Sequence, residues 1–185
     1  MATDHEVELH CNLLLLRSFR ASDAEPVCDA VLESLDELTP WLPWCHPQYT
    51  ILDTRAFLDA RASAFQHEGE YAFAILERAT GRLVGACGVN QLDRANARAN
   101  LGYWIRTGAT RRGYATAATR LLACWAFEAL QLARIEIVAA VGNAASQRVA
   151  AKAGACREGI ARRRLNVRGE ARDAVVFSLL REDVA

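Results

Sequence analysis

Hydrophobic and polar residues change their spacing several times along this chain, and each change marks an element. Ala97, Ala99, Leu101, Tyr103 and Ile105 alternate with Asn96, Arg98, Asn100, Gly102 and Trp104, the period-2 pattern of a strand. After a short turn, Ala118, Leu121, Leu122, Trp125 and Ala129 recur at helical spacing, with Arg120 and Glu128 off that face. Upstream, the pattern predicts a first strand from Leu13 to Arg20. A helix then opens at the capping signal Ser22-Asp23-Ala24-Glu25, with Val27, Val31, Leu32, Leu35 and Leu38 on its face. Asp53 caps a second helix bearing Phe57, Leu58, Arg61 and Phe65. Tyr71 to Glu77 and Arg82 to Leu92 read as a hairpin across Ala79-Thr80-Gly81. Arg134 to Val141 is mostly apolar, as a strand covered on both faces must be. Asn143 leads into a short helix, Ser146 to Ala153, stopped by Gly154. Cys156 to Asn166 and Ala171 to Leu180 are two last strands across Val167-Arg168-Gly169-Glu170. The order β-α-α-β-β-β-α-β-α-β-β predicts an α/β chain with one mixed sheet and helices on it.

Composition narrows the class. With 185 residues and 52% apolar content, the chain suits a single domain over residues 1–185, its first ten residues a flexible leading segment. Leu13 to Leu16 is too short for a membrane span or signal peptide, so no membrane partner is expected. The six cysteines (Cys11, Cys28, Cys45, Cys87, Cys124, Cys156) form no C-x-x-C pair. That disfavours a metal site or a disulfide framework and fits buried thiols in a reducing cytoplasm. Charge is lopsided: residues 1–105 hold 8 Lys/Arg against 15 Asp/Glu, and residues 106–168 hold 12 against 3. Such a field suits an anionic cofactor on the later part and a cationic acceptor approached by the earlier one.

The positive block begins at Arg111-Arg112-Gly113-Tyr114-Ala115-Thr116, between the alternating strand and the long helix. A helix start carries backbone N–H groups without intrahelical partners and partial positive charge, and Gly113 allows a ligand close to the main chain. The turn therefore reads as an anion site, most simply for a phosphate or pyrophosphate. The Walker and dinucleotide fingerprints are both absent. A basic helix start that binds nothing is the bland alternative.

The strand ending Gly102-Tyr103-Trp104-Ile105, the turn Arg112-Gly113-Tyr114-Ala115-Thr116 and the later Asn143-Ala144-Ala145-Ser146, in this element order, resemble the GNAT superfamily of N-acetyltransferases. Trp41-Leu42-Pro43-Trp44, Lys152-x-Gly154 and Glu158-Gly159 add a resemblance to its RimL/RimJ-type branch, which acetylates ribosomal-protein N-termini. The likeness runs from Leu13 to Leu180. It implies acetyl-CoA as cofactor and coenzyme A as product. Backbone N–H groups from Arg111, Arg112, Gly113, Tyr114, Ala115 and Thr116 would hold the pyrophosphate. Trp104, Ile105 and Arg106 would pair with the pantetheine through a local bulge, and Asn143 would contact its side. There are two departures. Thr110 stands where the family has Gln or Arg, and Ala155 stands where an aromatic usually follows Lys-x-Gly. The first touches a turn that works through its main chain, the second touches packing.

Acetyl transfer needs a deprotonated amine, a donor at the thioester oxygen, a partner for the leaving thiolate, and both reactants held together. The resemblance gives the thiolate to Ser146 and the base role to Glu158. Read from residues alone, Ser146 is a helix-cap serine and Glu158 a solvated carboxylate paired with an arginine. Tyr103 and Tyr114 are further proton donors by type. Trp41, Trp44 and Tyr103 would line the acceptor cleft, although an aromatic loop packed on the core explains the tryptophans as well. His46 and His67 lie in no motif. The acceptor implied is the N-terminal α-amine of a protein; a small amine such as an amino-acid conjugate, polyamine or antibiotic is the alternative. Nucleic-acid binding through Arg162-Arg163-Arg164 and Arg168 is disfavoured, because strand alternation sends neighbours to opposite faces and no aromatics interleave. A non-catalytic acyl-CoA sensor and a homodimer paired near the last strands both remain open.

Overall fold

The computed structural model describes residues 7–66 and 69–184, with the side chains of residues 62–66 outside that set. His67 and the Phe65 side chain therefore lie outside the described residues. Eight strands form one sheet in the order β1-β2-β3-β4-β5-β6-β8-β7. They are β1 Glu8–His10, β2 Leu14–Ser18, β3 Tyr71–Glu77, β4 Leu83–Asp93, β5 Arg98–Ile105, β6 Arg134–Ala140, β7 Cys156–Val167 and β8 Glu170–Leu179. The helices are α1 Ala24–Leu32, α2 Leu35–Leu38, α3 Ile51–Gln66, α4 Tyr114–Ala129, α5 Ala144–Ala153 and α6 Arg181–Val184. The mixed α/β architecture is the one expected. Glu8 to His10, expected in the flexible leading segment, instead pair with Arg17 to Leu15 as an edge strand.

α4 lies on one face of the sheet. Ala118, Leu122, Ala123, Ala126 and Phe127 meet Leu16, Phe73, Leu101, Ile135, Ile137, Val175 and Phe177 in the larger core. Leu122 and Phe127 are essentially fully buried, each contributing about 1.5–3 kcal/mol. Ala129, expected on this face, is exposed. The other face carries a smaller core of Val27, Cys28, Val31, Leu38, Cys45 and Tyr49 on Ala74 and Leu83, with Trp104 packed against it. Of the six free cysteines, Cys28, Cys45 and Cys87 are buried as expected, whereas Cys156 is exposed.

Local chemistry moved several boundaries. Asp23 accepts the Arg20 N–H at 2.8 Å and holds buried Arg17 through two 2.7 Å bonds, so it fixes the entry to α1. The long first helix breaks at Glu33-Ser34, where the Ser34 hydroxyl donates to the Ala30 carbonyl at 2.7 Å. The break leaves Leu32 45% exposed, not on the apolar face. The second helix begins two residues before Asp53, which accepts from the Thr50 N–H at 2.7 Å, while Thr50 Oγ1 accepts from Leu52. Asn143, not Ser146, caps α5, its side chain accepting the Ser146 N–H at 3.0 Å. In β7 a bulge between Ala161 and Leu165, with Arg163 at φ 50°, interrupts the expected alternation of Arg162, Arg163 and Arg164.

Candidate active site

β5 and β6 are the parallel neighbours in the sheet, and they stay together for three pairs: Arg98↔Arg134, Ala99↔Ile135 and Asn100↔Glu136. Beyond these they diverge into a V. Each arm is tied on its outer edge, β5 to β4 as far as Gly85↔Ile105 and β6 to β8 as far as Ala140↔Ala174. The inner edge of β5 from Leu101 to Ile105 is therefore unpaired, about 16 Å of strand at ~3.3 Å per residue. The Arg106 N–H donates to the Val84 carbonyl at 2.9 Å, so even-numbered residues of this arm turn their main chain to β4. Leu101, Tyr103 and Ile105 turn theirs into the V. Trp104 and Arg106 are thus corrected as main-chain partners of a ligand in the V. Arg106 is further spent: its carbonyl accepts from Ala109, and its guanidinium binds Glu33. The expected bulge is absent, since the register is unbroken from Asn90↔Asn100 to Gly85↔Ile105. In its place, β4 approaches so closely that a Cβ on Gly85 would lie 2.1 Å from the Trp104 carbonyl oxygen.

α4 starts at the mouth of this V. Gly113, at φ 85°, is its N-cap, and Arg111 also takes a positive φ of 64°. No described residue accepts a hydrogen bond from the N–H groups of residues 111–116. A helix start bent back by a left-handed glycine thus presents free donors to solvent, the geometry of an anion cradle. Tyr114 does not offer its phenol there: it is buried and donates to Glu77 of β3, and that bond raises its pKa. The loop before the cradle is anchored to the α1–α2 break. Glu33 accepts the Gly108 N–H at 2.7 Å, and Ser34 Oγ accepts that of Thr107 at 2.9 Å. No sequence signal pointed to Glu33 or Ser34.

Across the V, Tyr103 of β5 reaches α5. Its phenol donates to the Ser146 carbonyl at 2.9 Å and lies 3.2 Å from Ser146 Oγ. Burial pushes the phenol up to about 12, with the Ser146 contact opposing. The two expected hydroxyls are therefore brought together. Glu158 is not part of this group. Both its oxygens are held by Arg134 at 2.6 and 2.5 Å, and that pairing, with help from Ser178, pulls its carboxyl down to about 2. A carboxylate so acidic and so occupied is a weak proton acceptor, which argues against the base role expected of it.

On the face opposite α4, the Trp41–Trp44 loop touches both arms. A Cβ on Gly142, just past β6, would lie 3.2 Å from the Trp41 ring, and Trp44 packs on Trp104 of β5 at 6.0 Å between centroids. Arg168 and Arg172 of the β7–β8 hairpin donate to the Thr39 and Pro40 carbonyls at 2.5 and 3.2 Å. Between loop and hairpin lies a cleft of about 540 Å³ lined by Trp41, Val141, Gly142, Ile160, Arg172 and Asp173. His46 stands apart, against Tyr49 and Asp53. Among the described residues there is no cluster that could hold a metal ion, and no helix is long and apolar enough to cross a membrane.

A strand pair opening into a V, with an amide cradle at its mouth, defines a class. The family profile of the acetyltransferase (GNAT) domain matches residues 14–155, and the chain belongs to this family of acetyltransferases. A Bacillus subtilis (strain 168) protein named "Putative ribosomal N-acetyltransferase YdaF" is 33% identical over 172 residues, 92% of each chain. A solved Vibrio cholerae structure titled "a putative ribosomal-protein-serine acetyltransferase" superposes with a TM-score of 0.85 at 32% identity, covering 97% of this chain and 99% of that one. Mycobacterium smegmatis RimJ, solved in complex with CoA-disulfide, gives a TM-score of 0.84 at 26% identity over 97% of this chain and 88% of its own.

Proposed function

We propose that this chain moves the acetyl group of acetyl-CoA directly to the N-terminal α-amine of a protein, a ribosomal one by preference. One observation carries the reading: the unpaired edge of Leu101–Ile105 leads, through the short loop of residues 106–110, to the unpartnered amides of residues 111–116. A ligand with an amide-bearing arm and a pyrophosphate satisfies both at once. Bound acetyl-CoA supplies an activated thioester, and coenzyme A leaves. Leu101, Tyr103 and Ile105 offer main-chain groups to the pantetheine, and the amides of residues 111–116 hold the pyrophosphate. The Asn143 carbonyl oxygen is used in capping, which leaves its amide nitrogen for the pantetheine side. Ser146 Oγ, steadied by Tyr103, is placed to hydrogen-bond the leaving sulfur. Trp41 and Trp44 wall the acceptor side. Glu158 holds Arg134 in place. The names of the ribosomal relatives support a protein acceptor over a small amine. Six unpaired thiols suit a cytoplasmic site, and a homodimer would pair along the uncovered edge of β7.

Calorimetric titration with acetyl-CoA tests this, beside Gly113→Pro, which removes a donor and forces φ from 85° to about −65°. Binding by the wild type and its loss in a folded variant are expected. A folded wild type that binds no acetyl-CoA overturns the reading. Mass spectrometry of protein N-termini with and without the gene tests the acceptor, and unchanged N-termini would reject a protein substrate.

A further inference from the structure

At the closed end of the V, on the face opposite α4, charged side chains form a ladder of alternating sign. Arg98 Nε donates to Asp93 Oδ2 at 3.1 Å, and Arg98 Nη1 lies 3.6 Å from Glu136 Oε1. Arg134 Nε donates to the same Oε1 at 3.1 Å, while the other two nitrogens of Arg134 hold Glu158. Three carboxylates thus face two guanidiniums. Asp93 is saturated, because Asn96 takes both its oxygens alongside Arg98. Glu158 is saturated by Arg134. Glu136 alone in the ladder keeps an oxygen, Oε2, to which no described residue donates a hydrogen bond.

Glu136 also has the position that matters. It belongs to the last residue pair before the arms part, and its side chain is 17% exposed. With Gln91, Arg98, Asn100 and Arg164 it lines a cavity of about 140 Å³. Arg164 comes from the bulged stretch of β7 and has no ion-pair partner among the described residues. The cavity therefore offers one half-engaged carboxylate and one unpaired guanidinium.

We infer that this cavity is the amine subsite, with Glu136 receiving the acceptor's ammonium and Arg164 an anionic group one or two residues away from it. The inference rests on the acetyltransferase reading. With a pyrophosphate held by residues 111–116, an extended arm paired along Leu101–Ile105 would point its thioester towards the closed end of the V, where Asn100 pairs with Glu136. An ammonium would meet a counter-charge at Oε2, and it must give up one proton before its nitrogen can attack the acyl carbon and release coenzyme A. Opposite charge a few ångströms from each end selects a peptide with an acidic second or third residue.

Two peptides test this: Ser-Glu-Ala-Ala-Ala-Trp and Ser-Lys-Ala-Ala-Ala-Trp, titrated calorimetrically into the protein in saturating coenzyme A, with acetylation followed in parallel. The wild type is expected to bind the acidic peptide at least tenfold more tightly. Glu136→Gln weakens both peptides at least tenfold and leaves the Kd for acetyl-CoA within twofold. Arg164→Gln abolishes the preference and leaves the lysine peptide unchanged. Asp93→Asn cuts the ladder without touching the cavity, and its peptide affinities stay within twofold of wild type. Equal affinity of Glu136→Gln and wild type overturns the inference, as does a wild type without the acidic preference. Glu136-dependent binding without acetylation leaves the subsite standing and removes the acetyl-transfer reading. Acetylation unaffected by Glu136→Gln does the reverse.

Discussion

Tyr103→Phe removes one oxygen atom from the floor of the V, and the structure assigns that atom two separable effects. The first is mechanical. The phenol joins β5 to α5 through the Ser146 carbonyl at 2.9 Å, across an opening that no backbone pairing spans. Losing one such bond costs about 0.5–1.5 kcal/mol of stability. The second concerns the reaction. A thiolate leaving group has a conjugate acid near pKa ~8.5, whereas the Tyr103 phenol is pushed up to about 12. Full proton transfer from phenol to thiolate is therefore uphill. On the proposed reading, Tyr103 would help by positioning Ser146, to whose carbonyl it gives its single O–H, and would keep its own proton. The variant should lose roughly tenfold in kcat, the worth of about 1.4 kcal/mol, and not the ~10²–10⁴ of a missing general acid. Its affinity for acetyl-CoA should stay near wild type. Steady-state turnover followed by coenzyme A release, with calorimetry and a thermal melt on the same sample, measures all three. A thousandfold fall in kcat in a folded variant that still binds acetyl-CoA would refute this division of labour.

Three further outcomes follow from the geometry. Gly85→Ala places a methyl 2.1 Å from the Trp104 carbonyl oxygen and 2.9 Å from the Ile105 Cα, so the urea midpoint should fall by the equivalent of about 1–3 kcal/mol or more. Asn143→Ala removes the α5 cap at 3.0 Å and should cost about 1 kcal/mol in thermal unfolding, with Asn143→Asp retaining most of the stability. Glu158 has a folded pKa of about 2, below the ~4.3 of an unfolded glutamate, so its contribution is complete above ~4.3 and fades as pH falls towards 2. Arg134→Met should therefore lower stability near neutral pH and flatten the stability–pH curve between those values; an acid-unfolding curve parallel to wild type would show that the pair contributes nothing.

The elements that sequence pattern could place are those whose signal is local. Tyr71–Glu77 has the bounds its place in the hairpin suggested, and the strand, Gly113 turn and α4 helix stand where their spacing put them. The Asn143 cap acts over three residues, but spacing does not single it out, because Ser146 has the same capping chemistry and stands in the same turn. The ties that shape the site were out of reach for another reason. Arg106 finds Glu33 across 73 positions, and Tyr103 finds Ser146 across 43. Such contacts depend on where the sheet delivers each side chain, which no spacing rule encodes. Glu158 makes the same point about chemistry. Its residue type and place fit a base, but its partner Arg134, 24 positions away, sets its acidity. Only the V could show that Tyr103 and Ile105, not Trp104, turn their main chain inward.

The tryptophans of this chain divide into two optical populations. Trp125 of α4 is held edge-on against Tyr71 and Phe73 of β3, two strands from β5, at 5.4 and 5.3 Å. Trp41, Trp44 and Trp104 stand on its two arms, with Trp44 and Trp104 in ring contact. Any ligand that spreads or fills the arms alters the surroundings of three indoles and leaves the fourth as a constant background. Native fluorescence is thus a built-in gauge of occupancy, and replacing Trp125 by phenylalanine would sharpen it without touching either arm.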